Sequence, residues 1–162
     1  GGGKPEAKAI VVIVVAVVAL LGAAVLFVTT GQPRNTKPTA TQNVAPATGP
    51  QSYSLNEFTI KGATVLQAAS VSLTARNTGQ VAHQLTVLKT DLAASKLPLK
   101  GGQVVEDAPG IQVVSPGSDV NPGDSQQRSV DLSTPGNYLF ICNIAGHYGW
   151  GMYSELDVTQ GN

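Results

Sequence analysis

The sequence predicts an all-β protein, an antiparallel β-sandwich, carried behind one N-terminal transmembrane helix. Three observations lead there. A twenty-residue apolar run lies near the start, a Pro/Thr/Ala-rich stretch follows it, and residues 51–162 hold about seven short strand patterns separated by turn signals.

The apolar run extends from Ala9 to Val28 with no charged or strongly polar side chain. At about 1.5 Å per residue such a helix covers roughly 30 Å, the hydrocarbon core of a bilayer. Residues 1–29 therefore read as a membrane anchor, with the transmembrane helix at about 9–28. A cleaved signal peptide is the competing reading, with Gly22-Ala23-Ala24 as its small-residue site. Signal cores run about 7–15 residues, however, and this run continues past those alanines. Lys4 and Lys8 before the helix are matched by Arg34 and Lys37 after it, so charge counting leaves its orientation tied. The sequence opens Gly1-Gly2-Gly3 rather than on Met, as a processed, truncated or engineered terminus does. Residues 30–50 read as a linker, extended by prolines and too poor in apolar periodicity to build a core.

The domain proper is expected over residues 51–162. Ser52–Ile60 reads as a strand with a bulge, because its apolar residues change parity between Leu55 and Phe58. Val71, Leu73 and Ala75 alternate with Ser72, Thr74 and Arg76, the period of a half-buried strand. Asn77-Thr-Gly79 signals a turn, after which Val81, His83, Leu85 and Val87 fall on one face of the next strand. Thr90–Ser125 is Gly/Pro-rich and irregular, with one helical turn expected near Asp91–Leu97. Gln126–Leu132 reads as a further strand. Pro135-Gly136 turns into Tyr138-Leu-Phe-Ile-Cys142, which is apolar on both faces as an interior strand is. In the last strand Met152, Ser154, Leu156 and Val158 share a face, opposite Tyr153, Glu155 and Asp157.

The domain carries six Lys/Arg against nine Asp/Glu, a net charge near −3, and no basic patch interleaved with aromatics. Nucleic acid is thereby excluded as a partner class. With one cysteine there is no intramolecular disulfide to report on redox compartment. The informative feature is the stock of soft and imidazole ligands: one Cys, two His and one Met in the whole chain. Cys142, His147 and Met152 stand at C-x4-H-x4-M spacing, and His83 lies upstream at the head of a strand. Singly, a buried His, a Cys ending a strand and an apolar Met are ordinary core residues. Jointly they make a His2Cys set with a weak axial Met, the donor pattern of a blue-copper centre. The Met argues against a zinc site. A binuclear copper centre would need two cysteines, and a multicopper oxidase many more histidines, so no enzyme of those kinds is expected.

These residues resemble the cupredoxins, the plastocyanin/azurin-like blue copper proteins. The matching elements are Asn77-x-Gly79-x-x-x-His83, Pro135-Gly136-x-Tyr138-x-Phe140-x-Cys142, His147 and Met152, with a four-and-four spacing most similar to the sulfocyanin and rusticyanin branch. The resemblance covers about residues 51–162. It implies a Greek-key sandwich, one type 1 copper per chain held by His83, Cys142, His147 and Met152, and one-electron transfer to redox protein partners such as cytochromes or oxidase/reductase complexes, with no small-molecule substrate. It further implies a domain on the periplasmic or extracellular side of the membrane, an electron port at the edge of His147, and a backbone N–H near Gln84 bonded to the Cys142 sulfur. Tyr148 and Trp150 either surround His147 as a docking surface or pack the loop. The competing functions are a copper-handling protein, a chaperone or store, and a metal-free interaction sandwich.

Overall fold

The computed structural model describes residues 44–161. The expected transmembrane helix and residues 30–43 of the expected linker lie outside the described residues. Among the described residues, no helix is long and apolar enough to cross a membrane.

Among the described residues there are eleven strands, nine of them in two stacked sheets. They are β1 (Gln51–Asn56), β2 (Thr59–Lys61), β3 (Val65–Gln67), β4 (Ala69–Asn77), β5 (Thr86–Lys89), β6 (Leu99–Lys100), β7 (Gln103–Val104), β8 (Gln112–Ser115), β9 (Ser125–Leu132), β10 (Gly136–Ile141) and β11 (Tyr153–Thr159). One sheet has the order β2-β1-β4-β9, the other β3-β11-β10-β5-β8, and β6-β7 forms a separate small hairpin. The all-β sandwich is as expected, but the sheets are mixed rather than antiparallel, since β1 pairs with β4 and β3 with β11 in parallel. The reason is topological. After the β1–β2 hairpin the chain crosses to the second sheet as β3 and returns as β4 beside β1, and this excursion lets β4 run in the direction of β1.

Three local expectations change. The parity shift between Leu55 and Phe58 is a tight turn at Glu57-Phe58 rather than a bulge, because Asn56 pairs directly with Thr59 and Leu55 with Ile60. No helix forms at Asp91–Leu97, where a single turn bond runs from Lys96 N–H to the Ala93 carbonyl. The strand after Gly79 starts only at Thr86. His83 pairs singly with Val120, and Val81 stays exposed. Ahead of β1, Ala47 bridges Leu66 of β3 and packs on the core, so this stretch of the expected linker lies on the sandwich.

The double-faced β10 explains the second core. Tyr138 and Phe140 point between the sheets, into a cluster with Tyr53, Leu55, Leu73, Leu85, Val130 and Leu156. Leu139 and Ile141 point the other way and are covered by Ala94, Leu97, Val104 and Tyr148. An apolar run on both faces needs cover on both, and the irregular segment after β5 supplies the outer layer.

Candidate metal centre

The upstream histidine is delivered by a pinned turn. Asn77, fully buried at the end of β4, donates through its amide to the carbonyls of Val81 (2.7 Å) and Val120 (2.8 Å), and accepts the Gly79 N–H at 2.8 Å. The turn is thereby tied to Val120. There His83 exchanges both backbone bonds, its N–H to the Val120 carbonyl at 3.1 Å and the Val120 N–H to its own carbonyl at 2.8 Å. The Asn77–Gly79–His83 step is thus a device for presenting one imidazole to the interior.

The downstream residues come from the loop joining β10 to β11. Cys142 N–H donates to the Met152 carbonyl (3.1 Å), Met152 N–H to the His147 carbonyl (3.0 Å), and His147 N–H to the Ile144 carbonyl (3.0 Å). The loop is therefore bonded to itself at all three predicted ligands. Gly146 and Gly151 take φ of +89° and +98°, conformations that a Cβ disfavours, and so allow the chain to wind this tightly.

These elements converge. His83 Nδ1 lies 3.4 Å from His147 Nδ1, which lies 3.2 Å from Cys142 Sγ. The three donor atoms all fall within 4.8 Å of one another, and all three residues are buried. Donors roughly 2.0–2.3 Å from a shared late first-row ion in a trigonal set stand about 3.5 Å apart, so the cluster has the dimensions for one ion. Its chemistry agrees. Burial, reinforced at His83 by the neighbouring His147, holds both imidazoles below their ordinary pKa, so each keeps a lone pair for a metal. Burial pushes the Cys142 thiol up, against the lowering effect of the Ile144 and Gln84 backbone N–H groups. A cation held here would be bound by the thiolate, with the thiol proton released to solvent. The Gln84 N–H donates to Cys142 Sγ at 3.2 Å, the contact the resemblance implied. This donor set fits one type 1 copper ion.

Met152 is fully buried, and its main chain bonds both Cys142 and His147. Tyr148 and Trp150 have separate fates. Tyr148 is buried, its hydroxyl donating to the Ala94 carbonyl (2.5 Å) and accepting the Leu97 N–H (3.0 Å), so it packs the loop. Trp150 is 66% exposed and stacks 6.1 Å from His147, itself only 8% exposed. The outward group at this end of the sandwich is accordingly the indole.

Three features escaped the sequence. The segment between β5 and β8 clamps the ligand loop: the Val104 N–H donates to Asn143 Oδ1 (2.6 Å), Gln103 to the Asn143 carbonyl (2.9 Å), and the Gly146 N–H to the Gly102 carbonyl (2.8 Å). Phe58, at the β1–β2 turn, meets both His147 (5.2 Å) and Trp150 (4.6 Å) edge-on. Glu57 beside it faces His83. Each is a contact between segments far apart in the chain, and no local pattern announces it.

Taken together, the sandwich and its loop define a class: the chain has the cupredoxin fold. Over 70% of its length it matches 98% of auracyanin from the photosynthetic bacterium Roseiflexus castenholzii, at a TM-score of 0.53 and 19% identity. It likewise matches 79% of rusticyanin from Thiobacillus ferrooxidans over 70% of its own length, at a TM-score of 0.50 and 20% identity. A reduced rusticyanin structure gives 21% identity and a TM-score of 0.50, over 70% of this chain and 81% of that one. At such identities the likeness is one of fold. No family model and no curated protein matches the chain.

Proposed function

We propose that this chain is a membrane-tethered type 1 copper protein that passes single electrons between extracytoplasmic redox partners, as a carrier or as a subunit of a respiratory or related electron-transfer complex. The observation that carries the reading is the convergence of His83 Nδ1, His147 Nδ1 and Cys142 Sγ in one buried cluster. Copper, when bound, supplies a one-electron couple. His83, Cys142 and His147 would hold it, and Met152 would add a weak thioether donor. Rusticyanin, which shares the fold, is described as a copper protein.

The remaining contributions are the chain's own. The self-bonded loop and the Asn77-pinned turn hold the donors in place, so a change of charge meets little rearrangement. The Gln84 N–H at the sulfur withdraws electron density from the thiolate and favours the reduced state. Trp150 and Phe58 form the apolar surface over His147 through which a cytochrome or an oxidase/reductase complex would receive the electron. The apolar run at Ala9–Val28 supports the tether, which would hold the domain at a membrane surface.

Voltammetry on the full-length chain loaded with Cu(II) tests this reading. One reversible one-electron couple per chain, with copper retained against a Cu(I) chelator through repeated cycles, is the expected result. Prompt loss of Cu(I) to the chelator on reduction would assign the chain to copper handling instead.

A further inference from the structure

We propose that Glu57 is a positioning residue for His83: its carboxylate accepts a hydrogen bond from Nε2–H, so that the proton stays on Nε2, Nδ1 is kept as the free donor and the ring plane is fixed. The inference rests on the metal-site reading and extends it to the β1–β2 turn.

His83 is fully buried, and its Nε2 is, among the described residues, the buried side-chain N/O atom left without a hydrogen-bond partner. Buried polar atoms are almost always paired, so an orphan aimed at a carboxylate requires an account. Glu57 Oε1 faces it from 3.6 Å, about half an ångström beyond a hydrogen bond.

The carboxylate is itself secured. Its Oε1 accepts the backbone N–H of Gln80 and, at 3.0 Å, that of Val81, both in the turn leading into His83. Gly79 makes the approach possible, since a Cβ at that position would collide with the Glu57 carboxylate group. One residue on, Phe58 contacts the ring of His147. The tip of the β1–β2 hairpin therefore reaches both imidazoles, Glu57 on one and Phe58 on the other. Carboxylates that accept the distal N–H of a ligating histidine fix its tautomer and orientation, and removing one typically costs 10–100-fold in metal affinity.

The test uses the full-length protein and Glu57→Ala and Glu57→Gln variants. In the metal-free wild type, long-range ¹⁵N–¹H spectra should show His83 as the Nε2–H tautomer. Glu57→Ala should yield a mixture of tautomers and a Cu(II) affinity lower by about 10–100-fold, while the Gln carbonyl restores the tautomer and most of the affinity. An unchanged tautomer and an unchanged affinity in Glu57→Ala would overturn the proposal. So would an Nδ1–H tautomer in the wild type, a readout that does not depend on any variant folding. Because the tautomer is measured without metal, a wild-type chain that bound no copper would count against the metal reading and leave the Glu57–His83 contact to be judged separately.

Discussion

At the scale of single residues, each of the clustered donors is buried and held by hydrogen bonds of its own segment. Cys142 has its sulfur bonded by the Gln84 N–H and its own N–H bonded to Met152, so it is held from both ends. Met152 is the one proposed ligand whose role would be electronic rather than structural. A weak axial thioether gives modest donation to the oxidised ion, and a hydrocarbon gives none. Met152→Leu should therefore retain copper and raise the reduction potential, as read by redox titration of the visible band. A lowered potential would count against an axial role. The candidate donors were legible because so few soft or imidazole residues exist in the chain and Cys142, His147 and Met152 share one loop; His83, Cys142 and His147 are the three that the fold brings into one cluster. Glu57 was not legible, since nothing near it in sequence links a turn glutamate to a histidine twenty-six residues away.

Among the elements, the segment from Thr90 to Ser125 carries more than its composition suggests. Its apolar residues cover the outer face of β10, and its backbone clamps the ligand loop through Asn143. Asn143 also donates to the Val104 carbonyl (3.2 Å) and to Glu106 (2.8 Å). Removing such a side chain strands a buried backbone donor, a cost of about 1–3 kcal/mol. Asn143→Ala should lower stability by that amount in urea unfolding and speed copper loss; unchanged stability would remove the clamp from the account. A second, smaller effect belongs to the end of β9. The hydroxyl and backbone N–H of Ser133 hold the Asp131 carboxylate below its usual pKa. A group depressed in the folded state stabilises fully above its unfolded pKa, about 3.9 for Asp, and that contribution is lost as pH falls through the folded value. The stability difference between wild type and Asp131→Asn should thus be present at pH 7 and shrink below about pH 4. The apolar run in β10 signalled that both of its faces would be covered, but which segment supplied the cover depended on long-range pairing that periodicity does not encode. The same holds for the parallel β1–β4 and β3–β11 pairs, where short strands with ordinary alternation carry no mark of direction.

For the whole molecule, two stacked sheets bring three distant parts of the chain to one end: the β1–β2 turn, the turn before His83, and the ligand loop with Trp150 at its outer edge. The fold is shared with auracyanin and rusticyanin at about one residue in five identical. The function therefore rests on the site rather than on the ancestry of the scaffold. The measurement that meets the central claim most directly is visible absorption and electron paramagnetic resonance on the full-length chain loaded with Cu(II), alongside Cys142→Ser. The account predicts an intense thiolate-to-copper band and narrow copper hyperfine splitting at one copper per chain, both absent from Cys142→Ser. A pale, ordinary Cu(II) signal in the wild type, or no stoichiometric binding, would contradict it.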